Sequence, residues 1–400
     1  MRVDVCRRIA EVGRERWRQL LDAGSLYLSY EWLSSVEGSL APESYYVTAW
    51  EGDRLLAAIP AYLIADPKTY AFYNPAELVL AEATVETLAP YLDDRPRAAY
   101  RALRSALVSR RADLYPSLVC ASPYGYLAWL CHRPGLPPAL LDQVRRSLLD
   151  EVAALAARLH APCRAFLYVP DGKDPALERA LRTTGYQAAA LSGECTLDVT
   201  WPSFDAYLDT RPGHRRREFR REIARFQDTG HAIRIGDASA LDRRLADLQA
   251  QLSRKYGGRG DPDRIELGFR RATAHLGPFI RPFTVFKAAE PVGFALFYQR
   301  DNQLYCKQAG FDYAREGAYR YFNVIFYEPI RYAIREGVHT IQYGSESYEA
   351  KLRRGCGLEL RTGYFAVDRE PLRADLFAML ALHDAAQRRR LQAARERYSG

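Results

Sequence analysis

Hydrophobic and polar positions change period twice between Gln303 and Gly357. Gln303–Phe311 alternates and is rich in Tyr and Leu, the two-residue period of a strand. Residues 318–336 carry Tyr321, Ile325, Ile330 and Ala333 at helical spacing with aromatics between them, which predicts a helix with a broad buried face. Gly337 follows, where a left-handed cap is wanted. His339–Tyr343 reads as a second short strand, then a polar turn, Gly344–Ser347, and a basic segment, Tyr348–Gly355. Strand, helix, strand makes a βαβ unit, and ligands commonly bind at the carboxyl ends of its strands.

The rest of the chain reads in the same terms. Residues 4–22 are amphipathic and predict a helix; Tyr27–Gly38 predicts a second, with Ser29 as its cap. Tyr45–Trp50 and Leu55–Ile64 form a hairpin across residues 51–54. Helices follow at 96–110, 137–160 and 174–183, with strands at 117–121 and 163–169. The second half repeats this order: strands at 281–288 and 291–300, then the stretch described above. The predicted fold class is α/β, with two copies of a mixed twisted sheet flanked by helices, at 1–195 and 196–368, followed by a terminal helix within 369–400.

Composition narrows the picture only slightly. The chain is 48% hydrophobic and 26% charged, an ordinary globular balance. No apolar run reaches a membrane span, and the N-terminus has no apolar signal region, so the expectation is a cytoplasmic protein with no membrane partner. Seven Cys residues without paired spacing suggest reduced thiols and no metal site. The net charge of +8 favours polyanionic partners. Only six of the 57 basic residues are Lys, and two of them, Lys307 and Lys351, fall inside one βαβ unit.

The most basic segment lies between the copies. Phe219, Ile223 and Phe226 recur at helical spacing across residues 212–227, so one side of that helix faces a core. Arg217, Arg221 and Arg225 are spaced four apart on another side, with Arg215 before them. They are either a solvated face paired with Glu218 and Glu222 or a phosphate-binding ridge, for which the planar guanidinium is suited.

The duplicated order resembles the tandem GNAT fold of the FemABX-type peptidyl transferases and their FemAB-like relatives. Two stretches carry the likeness. Phe204-Asp205-Ala206-Tyr207-Leu208 before the Arg-rich helix is similar to the family's Phe-x-x-Tyr-Leu. Gly344, Tyr348, Lys351 and Gly355 are similar to its Gly, then aromatic-x-x-Lys, then Gly. The resemblance implies transfer of an acyl or aminoacyl group to an amine, from charged tRNA in FemABX-type members and from acyl-CoA in GNAT acetyltransferases. CoA users usually carry Arg/Gln-x-x-Gly-x-Gly/Ala before the helix. Here residues 312–319 place Arg315 one residue too close to Gly317, with Tyr319 where a small residue is expected, which favours a tRNA-linked donor. Peptidoglycan members often carry a coiled-coil arm for tRNA. No heptad run occurs here, and only the helix after Pro212 is a candidate for that contact.

Aminolysis of an activated ester needs a positioned neutral amine and a stabilised oxyanion. The family lysine that Lys351 matches implies that role for it. Glu346 could take the amine's proton, and Tyr348 stands beside them as a third catalytic candidate. Candidate substrate contacts are Lys307 and Tyr305, expected on one face of their strand with Ala309, together with Asn323, Tyr319, Tyr343 and Ser345. The aromatics of residues 313–327 could stack a terminal adenine or form core. Arg215, Arg217, Arg221, Arg225, Arg353 and Arg354 are the tRNA or phosphate candidates. The expected function is a Fem-like aminoacyltransferase that uses charged tRNA and an amine of a small molecule or peptide, without a cofactor. An acyl-CoA N-acyltransferase and a non-catalytic RNA-binding module are the alternatives.

Overall fold

Alternation and hairpin turns produce most of the strands. In the computed structural model, which describes residues 1–20, 25–314, 317 and 319–398, these are β1 (Arg2–Cys6), β2 (Ser44–Glu51), β3 (Arg54–Ile64), β4 (Ser117–Cys120), β5 (Cys131–His132), β6 (Cys163–Pro170), β7 (Gln187–Asp198), β8 (His231–Ile235), β9 (Ile280–Lys287), β10 (Glu290–Arg300), β11 (Gln303–Phe311), β12 (Thr340–Gly344) and β13 (Gly357–Val367). The chain divides into two units, Met1–Gly193 with Glu359–Ala394, and Glu194–Leu358 with Arg395–Gly400.

Unit 1 orders its strands β1-β2-β3-β4-β6-β13, with β5 on β3. β4 and β6 are parallel, and the helix Pro138–Arg158 connects them. Leu118 and Val119, neighbours on β4, fall in different core clusters because their side chains leave opposite faces. One cluster takes Val144, Leu148 and Val152 from that helix; the other takes Tyr100, Leu372, Leu376 and Met379. The terminal helix Leu372–Tyr398 therefore lies mostly in unit 1, and β13 pairs with β6 there. This differs from the expected 196–368 and 369–400 segments, because the alternation of β13 does not say which strand it will meet.

The predicted helix over 4–22 is corrected too. Val3 and Val5 alternate in β1, which pairs with β2, and short helices follow; residues 21 and 22 lie outside the described ones. Ser29 does cap its helix, accepting from the Trp32 N–H at 3.1 Å.

Unit 2 orders β7-β12-β11-β10-β9-β8, with β11 and β12 parallel. It repeats the plan of unit 1, a hairpin, a strand, a helical crossover and a parallel strand. Two helices that the sequence reading missed, Arg243–Lys255 and Pro262–Leu276, precede the hairpin. The first lies close against β11 at Gly310, where a Cβ would strike the backbone of Leu248 and Gln249.

The helix expected over 318–336 is present as an uninterrupted helical run from Arg320 to Arg335, but it is not a regular α-helix throughout. A short turn, Arg320–Phe322, leads into a π-helical turn, Asn323–Tyr327, and then the helix Glu328–Arg335. Pro329 cannot donate the bond an α-helix needs there, and a wider turn absorbs the loss. Among the described residues no helix is long and apolar enough to cross a membrane, and all seven cysteines are free thiols.

Candidate functional site

The parallel pair in unit 2 opens before its strands end. Pairing joins Gln303, Leu304 and Tyr305 to Thr340, Ile341 and Gln342 and goes no further, although β11 runs to Phe311 and β12 to Gly344. Cys306 to Ala309 are accordingly only half-buried. Lys307 stands at this opening as the extra residue of a β-bulge: Leu296 faces Gln308, while Phe297 faces Cys306. A bulge re-aims side chains, so the single face expected for Tyr305, Lys307 and Ala309 does not exist. Burial pushes the Lys307 ammonium down to about 8, with Glu194 and Cys306 pulling the other way. Tyr305 belongs to the core instead, its hydroxyl donating to Gln303 Oε1 at 2.9 Å.

After β12 the backbone is unusual. Gly344, Glu346 and Ser347 have φ of 76°, 61° and 49°. Left-handed non-glycine residues store strain, and here a buried cation holds them. Lys351, on the short helix Tyr348–Leu352, donates through Nζ to Gly344 O at 2.9 Å and Ser345 O at 2.7 Å. An ammonium has three donors, and these two bonds leave one. Tyr348 is buried in the first turn of that helix. Tyr343 packs its ring 4.8 Å from Phe326, and its buried hydroxyl has no hydrogen-bond partner among the described residues.

Behind the turn lies a buried ion pair. Arg354 Nη2 is 2.8 Å from Glu222 Oε2 and 3.0 Å from the Tyr327 hydroxyl, which itself donates to Glu222. The guanidinium lies over Phe322 at 3.9 Å and over Phe219 and Phe326 at 4.9 Å. Burial raises the Glu222 carboxyl, and Tyr327 and Arg354 pull it back. Arg354 is thus corrected from a phosphate ligand to an internal cation: its neighbours enclose it and its charge is matched. Arg353 is paired with Glu349 at 2.7 Å. Asn323 is also turned inward, donating to Glu222 O and Tyr319 O.

Glu222 belongs to the basic helix, Gly213–Asp228, so the pair fastens that helix to the segment that directly follows the helix carrying Lys351. Phe219 and Phe226 are buried with it and Ile223 is half-buried. On the outer side Arg215 pairs with Glu218 at 3.1 Å. Arg217, Arg221 and Arg225 are exposed and make no ion pair among the described residues.

Lys307 thus stands on β11 beyond its last pairing with β12, and Ser345, Glu346, Tyr348 and Lys351 follow directly on the end of β12, where Lys351 binds the turn. Tyr319 is left-handed at φ 56° and exposed at the start of the helical run that begins at Arg320. In the loop before it, Arg315, Glu316 and Ala318 lie outside the described residues. Sequence reasoning missed Glu222, which looked like a solvated partner for arginine, and Arg320. That buried guanidinium donates to Val292 O at 2.8 Å and Asp312 O at 2.7 Å, tying the loop to β10. Its only sequence signal is a charge three residues after Gly317, where a Cβ would strike it.

A sequence model of the FemAB-like family, described as peptidoglycan biosynthesis/recognition, matches residues 101–399. The chain belongs to the FemAB-like family. This FemAB-like protein is also similar in fold to FemX, at 10% identity and a TM-score of 0.58, over 94% of this chain and 100% of that one. A Bacteroides thetaiotaomicron protein of unknown function gives 13% and 0.54, over 89% and 96%. The C-terminal domain of an Agrobacterium fabrum protein described as a lysylphosphatidylglycerol synthetase gives 13% and 0.50, over 94% and 95%. No curated protein matches. The tandem GNAT-like fold class expected from the sequence holds, and family membership supports an acyltransferase kind of activity.

Proposed function

We propose that this protein moves an aminoacyl group from charged tRNA to an amine of a small molecule or peptide, forming an amide. The observation that carries the reading is the opening between β11 and β12, set on a framework whose basic helix leaves Arg217, Arg221 and Arg225 unpaired. Those arginines suit a phosphodiester backbone, and a small acyl donor would need no such ridge.

In the proposed reaction the amine nitrogen attacks the ester carbonyl and the carrier's ribose oxygen leaves. Lys307, near 8, is half neutral at mildly alkaline pH, takes the proton released by the attacking amine and passes it to the departing ribose oxygen, which leaves as the hydroxyl. Lys351 keeps the strained turn in place and offers its remaining N–H to the developing oxyanion. The peptide and small-molecule acceptors are chemically alike here, since both present a primary amine.

The test is intact-mass analysis of products formed with charged tRNA pools or with acyl-CoA and a panel of amines. Amide formation that ribonuclease abolishes supports the reading. Amide formation from acyl-CoA alone, indifferent to ribonuclease, replaces the donor.

A further inference from the structure

The loop joining the helices Arg243–Lys255 and Pro262–Leu276 reads Arg254-Lys255-Tyr256-Gly257-Gly258-Arg259-Gly260, an aromatic interleaved with cations and glycines. Its backbone is pinned. Tyr256 N and Gly258 N donate to Ser253 O at 3.1 and 2.9 Å, and Gly257 N donates to Arg254 O at 3.1 Å. Arg254 Nη1 donates back to Gly260 O at 3.1 Å. Glycine is required for this fold-back. Gly260 has φ 56°, and a Cβ there would sit 2.5 Å from Ala250 O. At Gly258 it would strike Ser253. The side chains are held out by the same arrangement. Tyr256 is 77% exposed, the most exposed large hydrophobic residue among the described residues. Lys255 and Arg259 make no ion pair among the described residues.

Tyr256 also has company. Lys255 Nζ lies 5.9 Å from the centre of its ring and 4.1 Å from that of Tyr313, which is 42% exposed. Tyr313 is 6.4 Å from Phe311, Phe311 is 6.1 Å from Tyr321, and Tyr321 is 6.1 Å from Phe326, which meets Tyr343 of β12. Of these rings Tyr313 and Tyr321 are exposed, while Phe311, Phe326 and Tyr343 are buried beneath them and support the surface rings from the core. An exposed tyrosine on a pinned loop, with Lys255 and Arg259 free of carboxylate partners among the described residues and Tyr313 close by, offers both ring faces and cations to a ligand with planar rings and phosphates.

We infer that the Tyr256–Gly260 loop is a binding element for single-stranded RNA, in which Tyr256 and Tyr313 stack on bases while Lys255 and Arg259 meet the phosphates. The inference rests on the proposed use of an RNA-linked donor, and it places the unpaired end of that donor over the exposed rings of Tyr256 and Tyr313. Stacking is tolerant of base identity, so affinity varies little with sequence. The loop is preorganised, so binding orders few residues.

The test uses the full chain and a fluorescent single-stranded RNA oligonucleotide, with anisotropy read at several salt concentrations. Tyr256→Ala weakens binding by between about fivefold and about a hundredfold, and Tyr256→Phe retains it. Lys255→Gln with Arg259→Gln lowers the salt slope by about 1.4, two phosphate contacts of a single strand. Exposure of these side chains leaves folding unaffected, which circular dichroism verifies. If the native chain binds the oligonucleotide and Tyr256→Ala binds as tightly, the loop is not the RNA element, while the tRNA reading stands. If the native chain binds no RNA and makes amide from acyl-CoA, both fall. If Tyr256→Ala loses binding to phosphatidylglycerol vesicles and not to RNA, the loop is a lipid-surface contact and the inference is overturned.

Discussion

Replacing Glu222 with leucine tests whether the framework behind the opening is held as described. The perturbation removes the carboxylate that faces Arg354 at 2.8 Å and accepts from Tyr327. Both side chains of the ion pair are almost wholly buried, at 3% and 4% exposure, so water cannot replace the lost partner. Removing one member of such a pair costs about 3–5 kcal/mol, most of it from the uncompensated charge. Four rings around Arg354 contribute cation–π contacts of about 0.5–2 kcal/mol, but they are present before and after the change and so do not offset the loss. Glu222→Leu is therefore expected to destabilise the protein by about 3 kcal/mol or more. Adding Arg354→Met to it should restore most of the loss, because an apolar pair of similar volume is about as stable as the ion pair. Urea unfolding followed by circular dichroism, on the native chain, both single variants and the double variant, gives the coupling energy directly. A loss below about 1 kcal/mol for Glu222→Leu, or a double variant weaker than either single one, would refute the account.

Three further outcomes follow from the same geometry. Lys307 titrates near 8 when folded and at about 10.5 when unfolded, so the unfolded chain binds more protons in that window and stability rises with pH across it; Lys307→Met should abolish that rise, and with it the increase of amide-forming rate through pH 8 in a pH–rate profile. His383, held down to about 4 by burial beside Tyr100, disfavours the folded state as pH falls from 6.5 toward 4. The loss approaches about 3 kcal/mol, and a thermal-unfolding series in which His383→Gln shows the same acid sensitivity as the native chain would contradict it. Replacing Arg217, Arg221 and Arg225 with glutamine should lower the salt slope of tRNA binding by about 2 to 3, measured by filter binding, and leave thermal stability within about 0.5 kcal/mol.

The sequence by itself determined the local elements whose patterns face one core. Gln303–Phe311, the two hairpins and the basic helix were legible because alternation and helical spacing report which side of an element is buried. The α/β duplication followed from their order. Chain pattern could not show that Lys307 sits in a bulge, because a bulge depends on the register of β10 against β11. It could not tell Glu222 and Arg354 from solvated charges, since they lie 132 residues apart and only folding removes water from between them. It also left Tyr256 unnoticed, because exposure is a property of what surrounds a residue. Tertiary structure decided these points, for the energy of a charge or ring depends on its neighbours and on its access to water rather than on its place in the chain.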